Sequence, residues 1–452
     1  MLIKRSDLLK YLRIVASIIV ALVIISFTSN MLVHLCVLII ITGISVIESK
    51  YNMSHPYFWF SAFFFLYNCA YMIILVIAPN DSVAKGYNSF TSILILVALA
   101  TVLLVNNPHI KRYDYSKLTN PQFYNIDIQL LNCLLTIFVI IQLICTLVLH
   151  RSGVTSKSEQ WMVHNMFWII ATYCSRFNTY ILAVLVFMGD NLKKRWRIVS
   201  LSIFLTLYFS LLTGERDAIL RIVIILLLSL AMIGKIHFKQ LIVLTPICVT
   251  GMIALNYFKY YLSTGNMNRG AFALSNTLYE FLYSDFVDCG SNLQVVVNAD
   301  LAGTQGMGGI FKDIISAVLP SSAMNAIFGG GTGWNVSEWY NDYFYRGSTW
   351  NRAFTLVGEG YVMANLAGVI LLFVIIGLII RLLYKNSDHS PYYAAIYIYT
   401  AVAIISAFRG DASTIFSYLI RVPILITIFL WILKNILYTK EVSNDSEYVW
   451  KK

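Results

Sequence analysis

Stretches of apolar residues long enough to cross a bilayer recur along the whole chain. A spanning helix needs about 20 mostly apolar residues, and a window of that length predicts twelve spans. Their expected limits are 11–28, 31–48, 57–78, 89–105, 129–149, 165–188, 198–213, 217–234, 240–258, 361–380, 392–408 and 412–433. No small-residue cleavage site follows the first stretch, which favours a retained helix over a signal peptide. The predicted fold class is an all-α polytopic integral membrane protein.

The segment between the ninth and tenth spans, about residues 259–360, is much longer than the other connections. A loop of that length without structure would be unusual, so this one is expected to contain structure and function. Apolar residues recur at helical spacing in 274–282 and 310–319, which predicts two amphipathic helices on the membrane surface. The predicted organisation is a membrane domain at 1–258, the long loop at 259–360, a second membrane part at 361–437 and a tail at 438–452.

The composition agrees with this pattern. Apolar residues make up 58% of the chain and charged residues only 12%, about half the charge of a soluble domain, which excludes a soluble enzyme. The net charge of +11 comes from lysines and arginines concentrated in the termini and alternate short connections, a distribution that keeps those segments in the cytoplasm. Both termini are therefore predicted to be cytoplasmic, and no nucleic-acid site is expected. The seven cysteines are scattered and predict neither a zinc site nor a disulfide framework.

Ionisable residues stand at unfavourable positions in three places, all predicted to lie on the non-cytoplasmic side. An ionisable residue in hydrocarbon costs at least ~2.5 kcal/mol and is by default a functional hypothesis. The three clusters are the turn at 213–217 with Arg221 after it, the turn at 408–411 with Arg421 after it, and a loop end with Glu338, Asp342, Arg346, Trp350, Arg352 and Glu359. Snorkelling arginines and first-turn acids at helix N-termini are the structural alternatives.

Arginines clustered on one side of a membrane indicate an anionic ligand. Guanidinium groups bind phosphate through paired hydrogen bonds, and the helix N-termini after Gly214 and Gly410 also favour anions. A phosphate at this interface would belong to a phospholipid or a polyprenyl phosphate. The aromatic residues between Trp334 and Trp350, interleaved with acids, suit sugar rings, although an interfacial aromatic belt is the alternative interpretation.

These features together resemble the bacterial O-antigen polymerases. The resemblance in topology rests on twelve spans and one large loop late in the chain. The matching motifs are the turns Gly214-Glu215-Arg216 and Arg409-Gly410-Asp411 and the segments 355–361 and 365–369. The matching motifs lie within roughly residues 200–430, whereas the similarity in topology extends over the whole chain. The resemblance implies a metal-independent membrane glycosyltransferase without a cofactor, located in the bacterial inner membrane. Such an enzyme joins oligosaccharide repeat units carried on undecaprenyl diphosphate at the periplasmic face.

The resemblance also suggests roles for individual residues. The candidates for binding the diphosphate are Arg216, Arg409 and Arg352, followed by Arg346 and Arg421. The candidates for the catalytic base are Asp342, Glu338 and Glu359, which the sequence does not rank. The candidates for binding sugar are Trp339, Tyr340, Tyr343 and Trp350.

The expected partners are the lipid-linked oligosaccharide, as both donor and acceptor, and the bilayer; a polysaccharide chain-length regulator is an open question. Three other functions were weighed against the pattern. An O-antigen ligase has the same donor and a similar topology but transfers to lipid A–core. A lipid-linked oligosaccharide flippase would be expected to have two related halves and short loops, and a scaffold role would leave the intramembrane arginines unexplained.

Overall fold

The structure of the protein is a computed structural model that describes residues 5–78, 87–106, 124–152, 166–189, 196–213, 217–264, 278–279, 281–282, 286–319, 335–346 and 353–442. Every regular element within these ranges is a helix. The helices are α1 (Arg5–Phe27), α2 (Met31–Glu48), α3 (Pro56–Ile77), α4 (Ser89–Val105), α5 (Asn125–Arg151), α6 (Met166–Phe187), α7 (Trp196–Thr213), α8 (Asp217–Met232), α9 (Phe238–Thr264), α10 (Val287–Asn298), α11 (Gly309–Val318), α12 (Val336–Phe344), α13 (Leu356–Asn386), α14 (Pro391–Ala407) and α15 (Ala412–Val442).

Seven of the described helices are long and apolar enough to cross a membrane. They are α1, α2, α3, α5, α6, α13 and α15. The apolar parts of α4, α7, α8, α9 and α14 are shorter, at 10–17 residues. These helices overlap all twelve predicted spans. The protein is a multi-pass, all-helical membrane protein, while the count of twelve spans stays a prediction.

Contacts between helix ends show which connections share one end of the bundle. The contacts are Arg13 with Glu48 at 3.4 Å, Lys434 with Asp127 at 2.5 Å, Arg381 with the Val105 carbonyl at 3.2 Å and the stacked rings of Tyr51 and Phe238 at 5.1 Å. We call this the basic end, because several of the lysine- and arginine-bearing connections meet there. The opposite end contains the α1–α2 and α14–α15 connections. The antiparallel order of the helices thus separates the basic connections from the turn at Arg409.

A buried aromatic cluster joins α3 to the end of α14. Phe60 and Phe64 lie 5.3 and 5.4 Å from the ring of Phe408, and all three are fully buried. The indole of Trp59 donates to the Tyr397 hydroxyl at 2.9 Å, which links the same two helices closer to the basic end. Such packing and interhelical hydrogen bonds drive helix association in membranes. Because Phe408 precedes Arg409 directly, the cluster fixes the backbone of that turn.

Helix α13 is broken near its start, which the sequence did not predict. Ala364 and Asn365 have non-helical backbone angles, and Asn365 has a φ of 53°. The chain folds back there, because a Cβ on Gly368 would overlap the carbonyl oxygen of Gly360. We call 356–363 the short arm and 366–386 the long arm. A break leaves carbonyls without helical partners, and two of them, Tyr361 O and Val362 O, accept hydrogen bonds from the backbone of 303–305 at 3.2 and 2.9 Å.

The long loop supplies helices that pack against the membrane helices. Helix α11 covers the predicted amphipathic segment 310–319 and packs against α15. Its Phe311 is 69% exposed, whereas Ile310, Asp313 and Ala317 are buried on its inner face. The other predicted amphipathic segment, 274–282, lies largely outside the described residues.

Candidate functional site

A cavity of about 390 Å³ lies between the membrane helices at the end opposite the basic end. Its volume falls in the range of small-ligand pockets, roughly 300–1,000 Å³. Side chains of α3, α6, α8, α14 and α15 form most of its wall. Ser337 of α12 and Ala353 border it from the long loop, and Asn292 of α10 donates a hydrogen bond to the Ala353 carbonyl. The loop is therefore tied into the cavity wall.

Two arginines inside membrane helices line this cavity and contact one aromatic ring. The guanidinium carbons of Arg176 and Arg221 lie 4.5 and 5.0 Å from the centre of the Tyr418 ring. Arg221 is only 3% exposed, and its Nε has no hydrogen-bond partner among the described residues. A ring face stabilises a cation by about 0.5–2 kcal/mol, which is less than the cost of burying the Arg221 charge inside a membrane helix. The arrangement favours an anion in the cavity.

The turn between α14 and α15 adds a third arginine. Arg409 and Gly410 line the cavity, and α15 begins at Ala412, directly after the turn. Ser413, Thr414 and Ser417, from the first two turns of α15, line the same wall. The N-terminal end of a helix carries the positive end of its dipole, which favours an anion, while the Ala412 amide and the Ser413 hydroxyl already donate to Glu359 and Asp411. The cavity thus combines three guanidinium groups with neutral donors.

The nearest described acids do not line the cavity but accept hydrogen bonds from residues of its wall or next to it. Asp411 is buried, and its carboxylate accepts from the Ser337 amide at 3.2 Å and from the Ser413 hydroxyl at 2.5 Å. Burial raises the pKa of Asp411 above its usual range. Glu359, in the short arm, accepts from the Ala412 amide at 2.7 Å. Among the described residues that line the cavity, none is acidic.

The arginines predicted from the sequence occupy different places. Arg409 lines the cavity, as does Arg221, which the sequence singles out as an ionisable residue after the turn at 213–217. Arg421 instead donates to the carbonyls of Ala317 and Ser316 at 2.7 and 3.0 Å, at the C-terminal end of α11. Arg346 is exposed on the far end of the α12 segment and lies 3.7 Å from Asp342. The two remaining predicted arginines, Arg216 and Arg352, lie outside the described residues.

Helix α12 carries two of the three predicted acids, Glu338 and Asp342, and part of the aromatic segment. Asn335 caps it by accepting from the Glu338 amide at 2.7 Å. Glu338 is exposed, and Trp339 lies 5.6 Å from Tyr343, which is 59% exposed.

The other two predicted sugar-binding residues are Tyr340 and Trp350. Tyr340 is fully buried against Phe354, which leaves no ring face for a sugar and argues against the predicted role. Trp350 lies outside the described residues.

Two residues at this site were missed by the sequence analysis. Arg176 stands in the middle of the apolar helix α6, so the rule that flagged Arg221 and Arg421 should also have flagged it. Asp313 lies three residues after Ile310 and four before Ala317, on the buried side of α11. An acid on the apolar face of an amphipathic helix is the signal that was overlooked.

Comparisons with known proteins identify the family. The chain matches the family model described as O-antigen polysaccharide polymerase Wzy over residues 11–441. No curated protein and no solved structure gave a significant match. Because the matched region is nearly the whole chain, the membership does not depend on a single motif. The chain belongs to the O-antigen polysaccharide polymerase family, membrane enzymes of lipopolysaccharide biosynthesis that act on lipid-linked oligosaccharide repeat units.

Proposed function

We propose that the protein joins oligosaccharide repeat units carried on undecaprenyl diphosphate, and that the arginine-lined cavity holds the diphosphate of the donor. The observation that carries the proposal is a cavity with Arg176, Arg221 and Arg409 in its wall and no acid among its described lining residues. Phosphate oxygens suit guanidinium groups because the two form paired, charge-assisted hydrogen bonds. The apolar helices around the cavity suit the polyprenyl chain.

The reaction transfers a sugar chain from one lipid carrier to another. A hydroxyl of the acceptor repeat unit attacks the anomeric carbon of the donor. The bond between that carbon and the phosphate oxygen breaks, and undecaprenyl diphosphate leaves with the bonding electrons. The arginines stabilise the negative charge that develops on the leaving oxygen, which is the role of preorganised donors in such transfers.

The acceptor hydroxyl loses its proton to a carboxylate. Glu338 and Asp342, on α12, are the better placed of the predicted acids, because Ser337 of the same helix lines the cavity and Glu338 is exposed. Glu359 is fully buried and does not line the cavity. We therefore assign it a structural role, as the acceptor for the Ala412 amide. A base must come within hydrogen-bond reach of the proton that it removes. The half-buried ring of Trp339 and the exposed ring of Tyr343 then form the platform for the acceptor sugar.

The remaining parts of the proposal come from the sequence. Arg216, Arg352 and Trp350 stay candidates for donor and acceptor binding on their sequence context alone. The cavity is proposed to face the periplasm, because the contacts of the basic end place several lysine- and arginine-rich connections away from it. Reporter fusions after residues near 110, 195 and 385 should then score cytoplasmic, and a fusion near 300 periplasmic.

Deletion of the gene tests the function itself. A polymerase loss should leave lipid A–core carrying one repeat unit on a gel of surface polysaccharide, and the wild-type gene should restore the ladder. Lipid A–core without any repeat unit would instead indicate a ligase or a flippase. In the ligase case, polymer should accumulate on the lipid carrier, whereas a flippase loss should leave single repeat units on it.

A further inference from the structure

One buried carboxyl group connects the long loop to the last membrane helix at the border of the cavity. Asp411 is buried and stands directly before Ala412, where α15 begins. One of its oxygens accepts from the Ser413 hydroxyl of α15 at 2.5 Å, and the other accepts from the backbone amide of Ser337 in α12 at 3.2 Å. Ser413 and Ser337 both line the cavity. The side chain of Asp411 therefore joins two segments of the cavity wall.

The two helices meet Asp411 at their N-termini. The amides of the first helical turn have no partner within their own helix, and an acid at such an end satisfies and stabilises them. Asn335 caps α12 by accepting from the Glu338 amide at 2.7 Å, and the amide of Ser337 donates to Asp411 from a distant part of the chain. Because Asp411 also precedes α15, one carboxyl group serves the N-termini of both helices.

The helices that Asp411 connects have different tasks in the proposed reaction. Helix α12 carries the candidate bases Glu338 and Asp342 and the rings of the proposed acceptor platform. Helix α15 follows the turn with Arg409, which lines the cavity proposed for the donor diphosphate. Glu338 comes directly after Ser337, so the hydrogen bond to Asp411 holds the backbone beside a candidate base.

We propose that Asp411 is a positioning residue that holds the acceptor-binding helix α12 in register with the donor cavity. This inference rests on the proposed function of the cavity and of α12. A hydroxyl and an anomeric carbon react only when the two substrates are aligned, and a displacement of about 1 Å can lower the rate about 100-fold. Without the bond to Ser337, α12 moves relative to the cavity together with its base and its sugar platform. Each substrate then still binds to its own site, whereas the alignment between them is lost.

A shorter N-cap residue removes the bond to α12 and keeps a cap on α15. Serine is as good an N-cap as aspartate, so Asp411→Ser still offers an acceptor to the first turn of α15. Its side chain is shorter, and lengthening the 3.2 Å contact with the Ser337 amide takes it outside the range of a hydrogen bond. We expect kcat to fall about 10- to 100-fold in Asp411→Ser, while the KM values for donor and acceptor stay within about threefold of wild type.

The conservative variant separates positioning from a direct chemical role. Asparagine has the shape of aspartate, and its amide oxygen can accept from Ser337 while its NH2 group donates to the Ser413 hydroxyl. Asp411→Asn should therefore keep kcat within about threefold of wild type. A carboxylate that acted as the base would instead lose its activity on this exchange, because an amide does not take up the proton of a hydroxyl.

The test uses the full-length protein in lipid nanodiscs. The donor is the lipid-linked repeat unit from a strain that lacks the polymerase, and the acceptor is a labelled repeat-unit oligosaccharide without diphosphate, so that the two KM values are determined separately. Asn30 gives the matched control, because it caps α2 at the same end of the bundle by accepting from the Leu32 amide at 2.9 Å. Asn30→Ser makes a similar shortening of an N-cap and should keep the wild-type kcat.

Three results would overturn the inference. They are a wild-type kcat in Asp411→Ser, a donor KM that rises in this variant as strongly as kcat falls, and a loss of kcat in Asp411→Asn as large as that in Asp411→Ser. If the serine variant does not reach normal levels in the membrane, Asp411→Thr decides instead, because threonine is also a short N-cap residue. A failure of the proposed function has a different result, since Arg409→Lys would then leave kcat/KM for the donor unchanged.

Discussion

Replacing the cavity arginines by lysine separates a diphosphate site from a structural use of charge. We consider Arg221→Lys and Arg409→Lys, because both residues line the cavity and belong to different elements, Arg221 to α8 and Arg409 to the turn between α14 and α15. Lysine keeps the positive charge and the long aliphatic stem. It loses the planar fork that makes paired hydrogen bonds with phosphate oxygens. If the arginines merely snorkelled to the interface, lysine would replace them almost without cost.

The size of the effect follows from what each guanidinium would lose. A hydrogen bond to a charged group contributes about 1.5–3 kcal/mol. The loss of one such bond in the transition state lowers kcat/KM for the donor by about 10- to 150-fold. Arg221 is only 3% exposed and contacts the Tyr418 ring, so water cannot replace the lost bond easily. Alanine also removes the charge, and its variants should lose nearly all polymerisation.

Two measurements and one control make this prediction decisive. The first measurement is the polysaccharide ladder from cells in which immunoblotting shows normal membrane levels of each variant, and the second is donor kcat/KM in nanodiscs. Arg151→Lys is the control, because Arg151 is an exposed arginine in the last turn of α5 and does not line the cavity. A full ladder and an unchanged kcat/KM in both lysine variants would remove the diphosphate from this cavity.

Three further predictions concern the neighbours of these arginines. Tyr418→Phe should keep near-normal donor KM because the ring remains, whereas Tyr418→Leu loses cation–π contacts of about 0.5–2 kcal/mol each and should raise the donor KM at least about twofold. Trp339→Ala and Tyr343→Ala should raise the KM for the acceptor and leave that for the donor unchanged; equal effects on both substrates would contradict a sugar platform. Arg421→Gln should lower the melting temperature in detergent more than it lowers donor affinity, since hydrogen bonds from this charged group to backbone carbonyls are worth about 1.5–3 kcal/mol each.

The helices of this fold could be predicted from the sequence because the bilayer imposes a simple requirement. Backbone groups in hydrocarbon must be satisfied within their own segment, so each spanning stretch is both apolar and helical. The same rule made Arg221 stand out, since charge inside an apolar helix needs a reason. Arg409 was found for a different reason: it follows a helix and precedes the N-terminus of the next one. These signals are local, and each can be read in a window of about 20 residues.

The remaining features depend on contacts between distant parts of the chain. The break at Ala364 and Asn365 exists because Gly360 and Gly368 allow the two arms to approach, and because the backbone near 303 satisfies the freed carbonyls. No hydropathy window contains that information. Asp313 is similar, since its burial depends on where α11 docks. The sequence shows an amphipathic helix there but not which surface covers its apolar face.

The arrangement of acids and arginines has an electrostatic consequence for the proposed reaction. An acid facing into the cavity would form an ion pair with an arginine and compete with a diphosphate for it. The oxygens of Asp411 are used instead by the Ser337 amide and the Ser413 hydroxyl, and one oxygen of Glu359 is used by the Ala412 amide. These hydrogen bonds stabilise the turn that carries Arg409 and keep both carboxyl groups out of the cavity lining. The cavity therefore keeps its positive field, which strengthens binding of a diphosphate in a site of low dielectric constant.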